Sequence, residues 1–395
     1  MADFKVVSSD NHCFEPADLW TSRGEVSKFG DRLPRVVNLG GEDRIGKSVV
    51  GTQGEEAISL GDWWFVDGYK TQGAFAGTQT GLRFEEPERL SMEGRMEDVR
   101  PGGYIPEEHV KDMDADGIDY AVIYPTVGLL LFSIPDTDLV TSIFKTYNDW
   151  IAEFCNAVPS RLKGIAMVNV DDVGAGVKEL ERCAKTGAFA GALISVYPPD
   201  ERQYDLPMYE PLWAAAQANG MPLSLHIGTN RPGPGQEFQN LDSATTNFLT
   251  QVDHWVRMSI GHMIFSGVFE RYPKLQVGSV EMEISWVPHF LERADFNYTQ
   301  RGVGVAGSYR LIEGALPSDY FHSNVFVGFQ EDALGIRLRD IIGVDNLMWG
   351  NDYPHQESTF PKSREIIDEL FSECTQEEKA KIVGGNAARI YGLNL

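Results

Sequence analysis

The sequence predicts an α/β protein, a closed (β/α)8 barrel of the TIM type, from two observations. Eight short apolar segments are bounded by glycine, proline, asparagine or aspartate, and helical patterns separate most of them. Strands that are apolar on both faces and alternate with helices are typical of parallel pairing under helical cover. In a barrel of eight such units the C-terminal ends of the strands meet at one face and build the active site.

The predicted strands are Val6–His12, Asp119–Thr126, Gly164–Val170, Phe189–Val196, Pro222–Gly228, Leu275–Glu281, Asn324–Gln330 and Asn346–Asp352. The predicted helices are Thr141–Ala157, Ala175–Lys185, Pro207–Ala218, Phe248–Phe269 and Ala333–Ile342. Between strands 1 and 2 lies an insert, about residues 24–108, that is rich in glycine, charged and aromatic residues. A structureless loop of that length is unusual in a compact domain. We therefore expect one domain over residues 1–395, with the insert either capping the barrel mouth or forming a surface hairpin or subunit contact.

The first strand carries a candidate metal-binding pair, Asp10 and His12, near its C-terminal end. Residues i and i+2 of a strand point to the same side, so the carboxylate and the imidazole are presented together. Both groups suit Zn²⁺ or Mn²⁺. The alternative is a turn in which the carboxylate is only a cap.

Two later strands also end in ligand-type residues, His226 on strand 5 and Asp352 on strand 8. Each has a simpler interpretation, as a hydrogen-bonded core histidine or as a helix-capping aspartate. In a closed barrel, however, strand 8 lies beside strand 1 and all these strand ends converge. The barrel topology therefore predicts that the four side chains share one site.

At this point the sequence resembles a known family. The pair Asp10/His12 with Glu15-Pro16 and Leu19-Trp20 behind it, the strand-5 histidine, the run Met348–His355 and the tail Lys381–Leu393 are together similar to the amidohydrolase-related family. Its branch of the amidohydrolase superfamily includes aminocarboxymuconate-semialdehyde decarboxylase-like and resorcylate decarboxylase-like enzymes. The resemblance covers nearly the whole chain except roughly residues 24–105. It implies one divalent metal ion, Zn or Mn, held by Asp10, His12, His226 and Asp352.

Two positions depart from the family pattern. The related decarboxylases end strand 6 with a histidine that acts as acid and base, whereas this chain has Glu281 there, and Asp10 stands where many relatives have histidine or glutamate. A glutamate can carry the same proton if its pocket raises its pKa. Because the histidine is missing, we expect a metal-dependent hydrolase in which a metal-activated water attacks a small, cyclic or aromatic substrate. Asp352 would take the proton of that water, and Glu281 would protonate the leaving group.

Three other functions remain open. A decarboxylase or a hydratase, both lyases, would use the same metal and the same acid. A barrel without catalytic activity could serve as a binding or assembly protein, although such a relative would be expected to lose ligands, and this chain keeps candidates on all three strands.

Five further residues are candidates for substrate contact: His355, Trp64, Tyr197, Arg231 and His289. His355 follows Asp352 by three residues and could instead orient a metal ligand. Tyr197 and Arg231 follow strands 4 and 5, and His289 follows strand 6, where packing is equally plausible. Trp64 belongs to the insert, where its apolar area would favour a ring-bearing substrate.

Composition excludes some partners. The formal net charge of −24 argues against nucleic acid and anionic membranes, which leaves a small molecule as the expected partner. Four cysteines without a C-x-x-C pair indicate reduced thiols. The N-terminus lacks the pattern of a signal peptide, and no apolar stretch is long enough to span a bilayer. We therefore expect a cytoplasmic protein, and a homo-oligomer such as a dimer.

Overall fold

The computed structural model describes residues 4–40, 61–75, 77–91, 93–231, 252–301 and 311–395. Its main sheet has eight strands in chain order, and each strand pairs in parallel with the next one along the chain. We number these barrel strands first to eighth: Val7–His12, Tyr120–Tyr124, Leu162–Met167, Phe189–Ile194, Leu223–His226, Val277–Val280, Val325–Phe329 and Leu347–Trp349. Each lies within, or within two residues of, a predicted segment. The predicted (β/α)8 barrel is confirmed.

The barrel closes between its eighth and first strands. The backbone N–H of Asp352 donates to the carbonyl of Asp10 at 3.0 Å, and the Ser9 hydroxyl donates to the carbonyl of Trp349 at 3.0 Å. Gly350 permits this approach, because a Cβ there would lie 2.6 Å from the Cβ and 2.9 Å from the backbone nitrogen of Asp10. Closure therefore brings Asp352 directly beside the ligand pair on the first strand.

The described residues form α-helices at Leu19–Arg23, Val26–Phe29, Leu82–Glu85, Pro106–Asp116, Val127–Leu131, Thr137–Ala157, Val173–Ala184, Glu210–Asn219, His254–Phe265, Val268–Arg271, Val287–Phe296, Pro317–Asn324, Ala333–Arg337, Arg339–Ile342, Ser363–Leu370, Gln376–Ala380 and Asn386–Ile390. Two of the longest helices, Thr137–Ala157 and Val173–Ala184, are capped by Asp136 and Asp172. The side chains of these aspartates accept hydrogen bonds from backbone N–H groups in the first helical turn. None of the helices in these ranges is both long and apolar enough to cross a membrane.

Two predicted helices differ from the structure. The segment predicted at Phe248–Phe269 begins outside the described residues, and its described part breaks at Gly267, whose φ of 72° is left-handed. The segment predicted at Ala333–Ile342 is divided into two short helices at Leu338. Both changes leave the order of strands and helices intact.

The described part of the insert contains a three-stranded antiparallel sheet made of Arg35–Leu39, Gly61–Val66 and Tyr69–Gly73. Further along the insert, Arg83 donates from Nε to the carbonyl of Ser358 at 2.9 Å. Ser358 belongs to the loop that follows the eighth barrel strand. The insert therefore contacts the face of the barrel where the strands end.

Candidate metal centre

The two histidines of the site present the same ring nitrogen to one point. In the first strand, Nδ1 of His12 lies 2.8 Å from the carbonyl of Pro125, and in the fifth strand, Nδ1 of His226 lies 3.0 Å from the carbonyl of Ile227. A carbonyl only accepts, so each Nδ1 carries the hydrogen and each Nε2 keeps a lone pair. This arrangement is the usual way in which a protein orients a metal-binding imidazole.

Carboxylate oxygens surround these two nitrogens. Asp10 Oδ1 lies 3.3 Å from Nε2 of His12 and 3.5 Å from Nε2 of His226. Asp352 Oδ1 lies 3.3 Å from Nε2 of His12. Glu281 Oε2 lies 3.2 Å from Nε2 of His226 and 3.9 Å from Nε2 of His12. The residues predicted at three strand ends, together with Glu281, are thus brought together.

Backbone geometry aims two of the carboxylates. Glu281 directly follows the sixth strand and Asp352 lies three residues beyond the end of the eighth, and their φ values are 58° and 56°. Such left-handed conformations are costly for residues other than glycine and cluster at functional sites. Both residues therefore turn out of the strand direction at the barrel mouth.

The buried polar atoms of this cluster lack hydrogen-bond partners. They are Asp10 Oδ1, Glu281 Oε2, both Asp352 carboxylate oxygens, and the Nε2 atoms of His12 and His226. An unsatisfied buried polar atom costs about 1–3 kcal/mol, and more if charged, so such a concentration requires an explanation. Neutral imidazoles and carboxylates are the ligands of a divalent cation. The donor set therefore fits one such ion.

The electrostatics of the cluster agree with this fit. Burial raises the pKa of Glu281 well above its usual range, and the charges of Asp352 and Asp10 raise it further. Burial lowers the pKa of His12 to about 3, so its imidazole stays neutral at physiological pH. Burial alone would raise the pKa of Asp10, but its interactions with the neighbouring imidazoles of His12 and His226 hold that pKa below its usual range. The cluster therefore combines the neutral imidazole of His12 with the ionised carboxylate of Asp10.

Two overlapping sets of four residues each have ligand atoms within 4.8 Å of one another. The first set is Asp10, His12, His226 and Glu281, and the second is His12, Glu281, Asp352 and His355. The quartet implied by the resemblance is thus divided between the two sets, and His12 and Glu281 belong to both.

His355 lies directly beside Asp352. Its Nδ1 lies 2.7 Å from Asp352 Oδ1, and its Nε2 lies 3.0 Å from the hydroxyl of Thr126. That hydroxyl donates to the carbonyl of Cys13 at 2.7 Å, so toward His355 it accepts. Nε2 of His355 therefore carries a hydrogen, and Nδ1 faces the carboxylate. A lone pair of Nδ1 so close to a carboxylate oxygen that has no hydrogen-bond partner requires a proton or a cation between the two atoms, so both roles that the sequence left open for His355 stay predictions.

The remaining predicted contacts lie away from this cluster. Arg231 is buried, pairs with Asp171 and also donates to the carbonyls of Phe132 and Ile134. Trp64 is buried, with its ring 5.6 Å from that of Trp20. These contacts favour a structural role for Arg231, whose guanidinium is engaged, and show that Trp64 packs inside the fold, with its Nε1 buried without a hydrogen-bond partner. The substrate roles of both residues stay predictions.

Two other candidates also contact neighbours outside the cluster. The hydroxyl of Tyr197 donates to Asp200 at 3.0 Å, and its ring lies 4.5 Å from that of Trp255. His289 is exposed on the helix that follows the sixth strand. Neither residue has a described contact with the ligand atoms, so their substrate roles stay predictions.

Two residues beside the site carried no distinct signal in the sequence. Thr126 becomes relevant only because the fold brings it to His355, 229 positions away. Glu283 is buried at Oε2 without a partner and has a φ of 50°. Its position two residues after Glu281 was the one available hint.

Comparison with known proteins identifies the family. A family model described as amidohydrolase matches residues 63–393. The chain belongs to the amidohydrolase family. The resemblance inferred from the sequence is confirmed, and the protein is an enzyme of that superfamily.

Relatives within the superfamily are decarboxylases. The chain is 25% identical to gamma-resorcylate decarboxylase from Polaromonas sp. (strain JS666) over 304 residues, which cover 73% of this chain and 88% of that protein. It is 22% identical to 2-amino-3-carboxymuconate-6-semialdehyde decarboxylase from Dictyostelium discoideum, over 78% of this chain and 82% of that one.

Solved structures show the same fold. An amidohydrolase from Mycobacterium avium subsp. paratuberculosis K-10 has a TM-score of 0.74 and 21% identity, with 99% and 100% of the two chains covered. A dihydroxybenzoic acid decarboxylase from Polaromonas sp. JS666, with bound manganese and 2-nitroresorcinol, has a TM-score of 0.64 and 19% identity, with 100% and 98% covered. The predicted divalent metal thus agrees with the ligand cluster of this enzyme and with the manganese of that structure. Zinc, the oligomeric state and the cytoplasmic location stay predictions.

Proposed function

We propose that this amidohydrolase is a metal-dependent decarboxylase of a small aromatic or cyclic carboxylic acid. The observation that carries the proposal is the convergence of partnerless nitrogen and oxygen atoms where the barrel strands end. The decarboxylase relatives support the reaction. Hydrolysis, the reaction favoured from the sequence, receives less support from these comparisons than decarboxylation does.

The metal ion would be held by the side chains that the structure gathers, Asp10, His12, His226 and Asp352. When bound, such an ion supplies positive charge that attracts a substrate carboxylate and stabilises negative charge that develops during the reaction. Local positive charge matters here because the whole chain carries −24. The sequence offered Arg231 for the same task, but its guanidinium is already paired with Asp171.

Decarboxylation replaces CO₂ on carbon with a proton, so the site needs an acid near the metal. The sequence offered Asp352 and Glu281. Asp352 has the better geometry for moving a proton, because His355 lies 2.7 Å from its Oδ1 and is itself held by Thr126. We assign the proton transfer to Asp352 with His355 behind it. Glu281 is treated separately below.

The insert would limit the access of water to this chemistry. Its residue Arg83 bonds to the carbonyl of Ser358 and to Glu331, which lie in the loops after the eighth and seventh strands. Burial and the charges of Glu357 and Asp10 raise the pKa of Asp352 well above its usual range, and the positive charge of Arg83 opposes only part of this shift. A cap in this place would exclude water and strengthen the electrostatic interactions beneath it.

Hydrolysis or hydration remains the second candidate, and Glu281 is the observation that favours it. The resemblance predicts a histidine at the end of the sixth strand in decarboxylases, and this chain has a carboxylate. The acid/base chemistry of the site therefore differs from that expected of the family's decarboxylases.

The test uses enzyme loaded with Mn²⁺ and a panel containing 2,6-dihydroxybenzoate, other hydroxybenzoates, and aromatic amides, esters and lactones. Reactions run in D₂O and in H₂¹⁸O separate the chemistries. We expect release of CO₂ with one deuterium on the carbon that carried it. Entry of ¹⁸O into a carboxylate product without CO₂ release would identify hydrolysis instead.

Two histidine variants provide the matched control. His226→Ala removes a cluster nitrogen, whereas His254→Ala removes a half-buried imidazole that belongs to neither ligand set. We expect metal content and turnover to fall in the first variant and to be retained in the second. Equal metal content in both would argue against the proposed centre.

A further inference from the structure

The contacts that Glu281 makes with the two histidines cannot all be hydrogen bonds. Nδ1 of His226 carries the hydrogen that is given to the carbonyl of Ile227, so Nε2, 3.2 Å from Glu281 Oε2, has only a lone pair. The same argument applies to Nε2 of His12, 3.9 Å from that oxygen. Two lone pairs at such distances repel unless a positive centre lies between them. A proton can satisfy one such contact, whereas a metal ion satisfies all of them together.

The distances agree with ligands of a common ion. Atoms bound at about 2.1 Å from one metal are about 3.0 Å apart when adjacent in an octahedron and about 3.4 Å apart in a tetrahedron. Glu281 Oε2 and Asp10 Oδ1 lie at 3.2 Å and 3.5 Å from Nε2 of His226. Glu281 thus occupies the same distance range as a residue whose ligand role was predicted independently.

The composition of the two ligand sets gives further support. Glu281 and His12 belong to both sets, whereas Asp352 belongs only to the second. The set that contains both Asp10 and His226 is completed by Glu281 and not by Asp352. The carboxylate of Glu281 therefore lies nearer the common centre of the cluster than the aspartate that the resemblance implies.

We propose that Glu281 is itself a metal ligand in this enzyme, in addition to Asp10, His12, His226 and Asp352. The inference rests on the proposed metal centre and changes its composition to three carboxylates and two imidazoles. Such an oxygen-rich set favours Mn²⁺ over softer ions relative to a set with more nitrogen. A ligand role for Glu281 would also account for a glutamate at the end of the sixth strand, where the resemblance predicts a histidine that acts as acid and base.

The test measures metal affinity rather than turnover. Metal-free wild type, Glu281→Gln and Glu283→Gln are titrated with Mn²⁺ in competition with a chromophoric chelator, and the absorption spectra of the Co²⁺-loaded forms are recorded. Glu283 is the matched control because it lies two residues further along the same turn, has a φ of 50° and is also buried at Oε2 without a partner, yet belongs to neither ligand set.

We expect Glu281→Gln to bind Mn²⁺ at least about tenfold more weakly than the wild type, because about tenfold is the smallest loss typical of residues that merely support a metal ligand. The spectrum of its Co²⁺-loaded form should also change. Glu283→Gln should keep the affinity and spectrum of the wild type. A loss below about tenfold in Glu281→Gln, or a Co²⁺ spectrum like that of the wild type, would overturn the assignment. Absence of metal binding by the wild type would instead refute the proposed centre as a whole, so the two failures are distinguishable.

A second variant protects the test against misfolding. Glu281→Asp keeps the charge and withdraws the carboxylate by one methylene group, so a ligand role predicts an altered Co²⁺ spectrum here as well. Thermal unfolding of the metal-free proteins checks the fold. The rise in Tm on adding Mn²⁺ should be smaller for both Glu281 variants than for Glu283→Gln, because ligand-linked stabilisation decreases as Kd increases.

Discussion

Replacing Arg231 should damage stability rather than substrate binding. The side chains of Arg231 and Asp171 are only 3% and 8% exposed, and the guanidinium Nη2 lies 2.5 Å from Oδ2 of Asp171. Nη1 also donates to the carbonyl of Phe132 at 3.0 Å. Arg231→Met removes one partner of a buried ion pair and leaves the Asp171 carboxylate with its hydrogen bond from Thr137 but without its paired charge. Breaking such a pair costs about 3–5 kcal/mol, so we expect the free energy of unfolding to fall by that amount.

Urea unfolding followed by circular dichroism measures this loss, and a double-mutant cycle with Asp171→Leu measures the coupling. The double variant should lose less than the sum of the single variants, because removing both charges leaves neither one buried alone. Arg23→Met is the control, since Arg23 and its partner Glu153 are 45% and 65% exposed. An exposed pair of this kind contributes about 0–1 kcal/mol.

A substrate role for Arg231 gives the opposite pattern. It predicts that Arg231→Met has nearly the stability of the wild type and a raised KM for the substrate found by the panel. That combination of results would refute the structural explanation.

Three further predictions concern the barrel seam, the insert and the acidic residues near the site. Gly350→Ala should weaken metal binding, measured by chelator competition, because its Cβ would lie 2.6 Å from that of Asp10 and displace this ligand; wild-type affinity would show that the seam adapts. Trp64→Ala should lower the free energy of unfolding by about 3–5 kcal/mol, since its ring is buried against Trp20; an unchanged urea midpoint with altered KM would show a substrate contact instead. Burial raises the pKa of Glu283 from 4.5 to about 7, so the folded protein holds a proton that the unfolded chain releases. The contribution of Glu283 to stability therefore decreases as pH rises from 4.5 to about 7. Glu283→Gln should flatten this part of the plot of unfolding free energy against pH for the metal-free protein, and an unchanged slope would contradict the raised pKa.

The strands and several site residues were predictable because they depend on local patterns. Buried parallel strands are continuous apolar runs, and ligand-type residues at their ends stand out, as His226 and Asp352 do. The parallel order of the barrel then brings those ends together. The convergence of Asp10, His12, His226 and Asp352 follows from these two facts.

The roles of other residues depend on contacts that no local pattern encodes. Arg231 is explained by Asp171, 60 positions away, and Trp64 by the way the insert packs on Trp20. The placement of Glu281 depends on its left-handed backbone, which strand periodicity does not predict. For these residues the type of side chain was recognised from the sequence, but its partner was not.

The location of the metal tests the central claim most directly. Crystals of the Mn²⁺-loaded enzyme, measured on both sides of the manganese absorption edge, should show one anomalous peak bounded by the side chains of Asp10, His12 and His226 where the first and fifth barrel strands end. A peak elsewhere, or no peak at this cluster in fully loaded protein, would contradict the account.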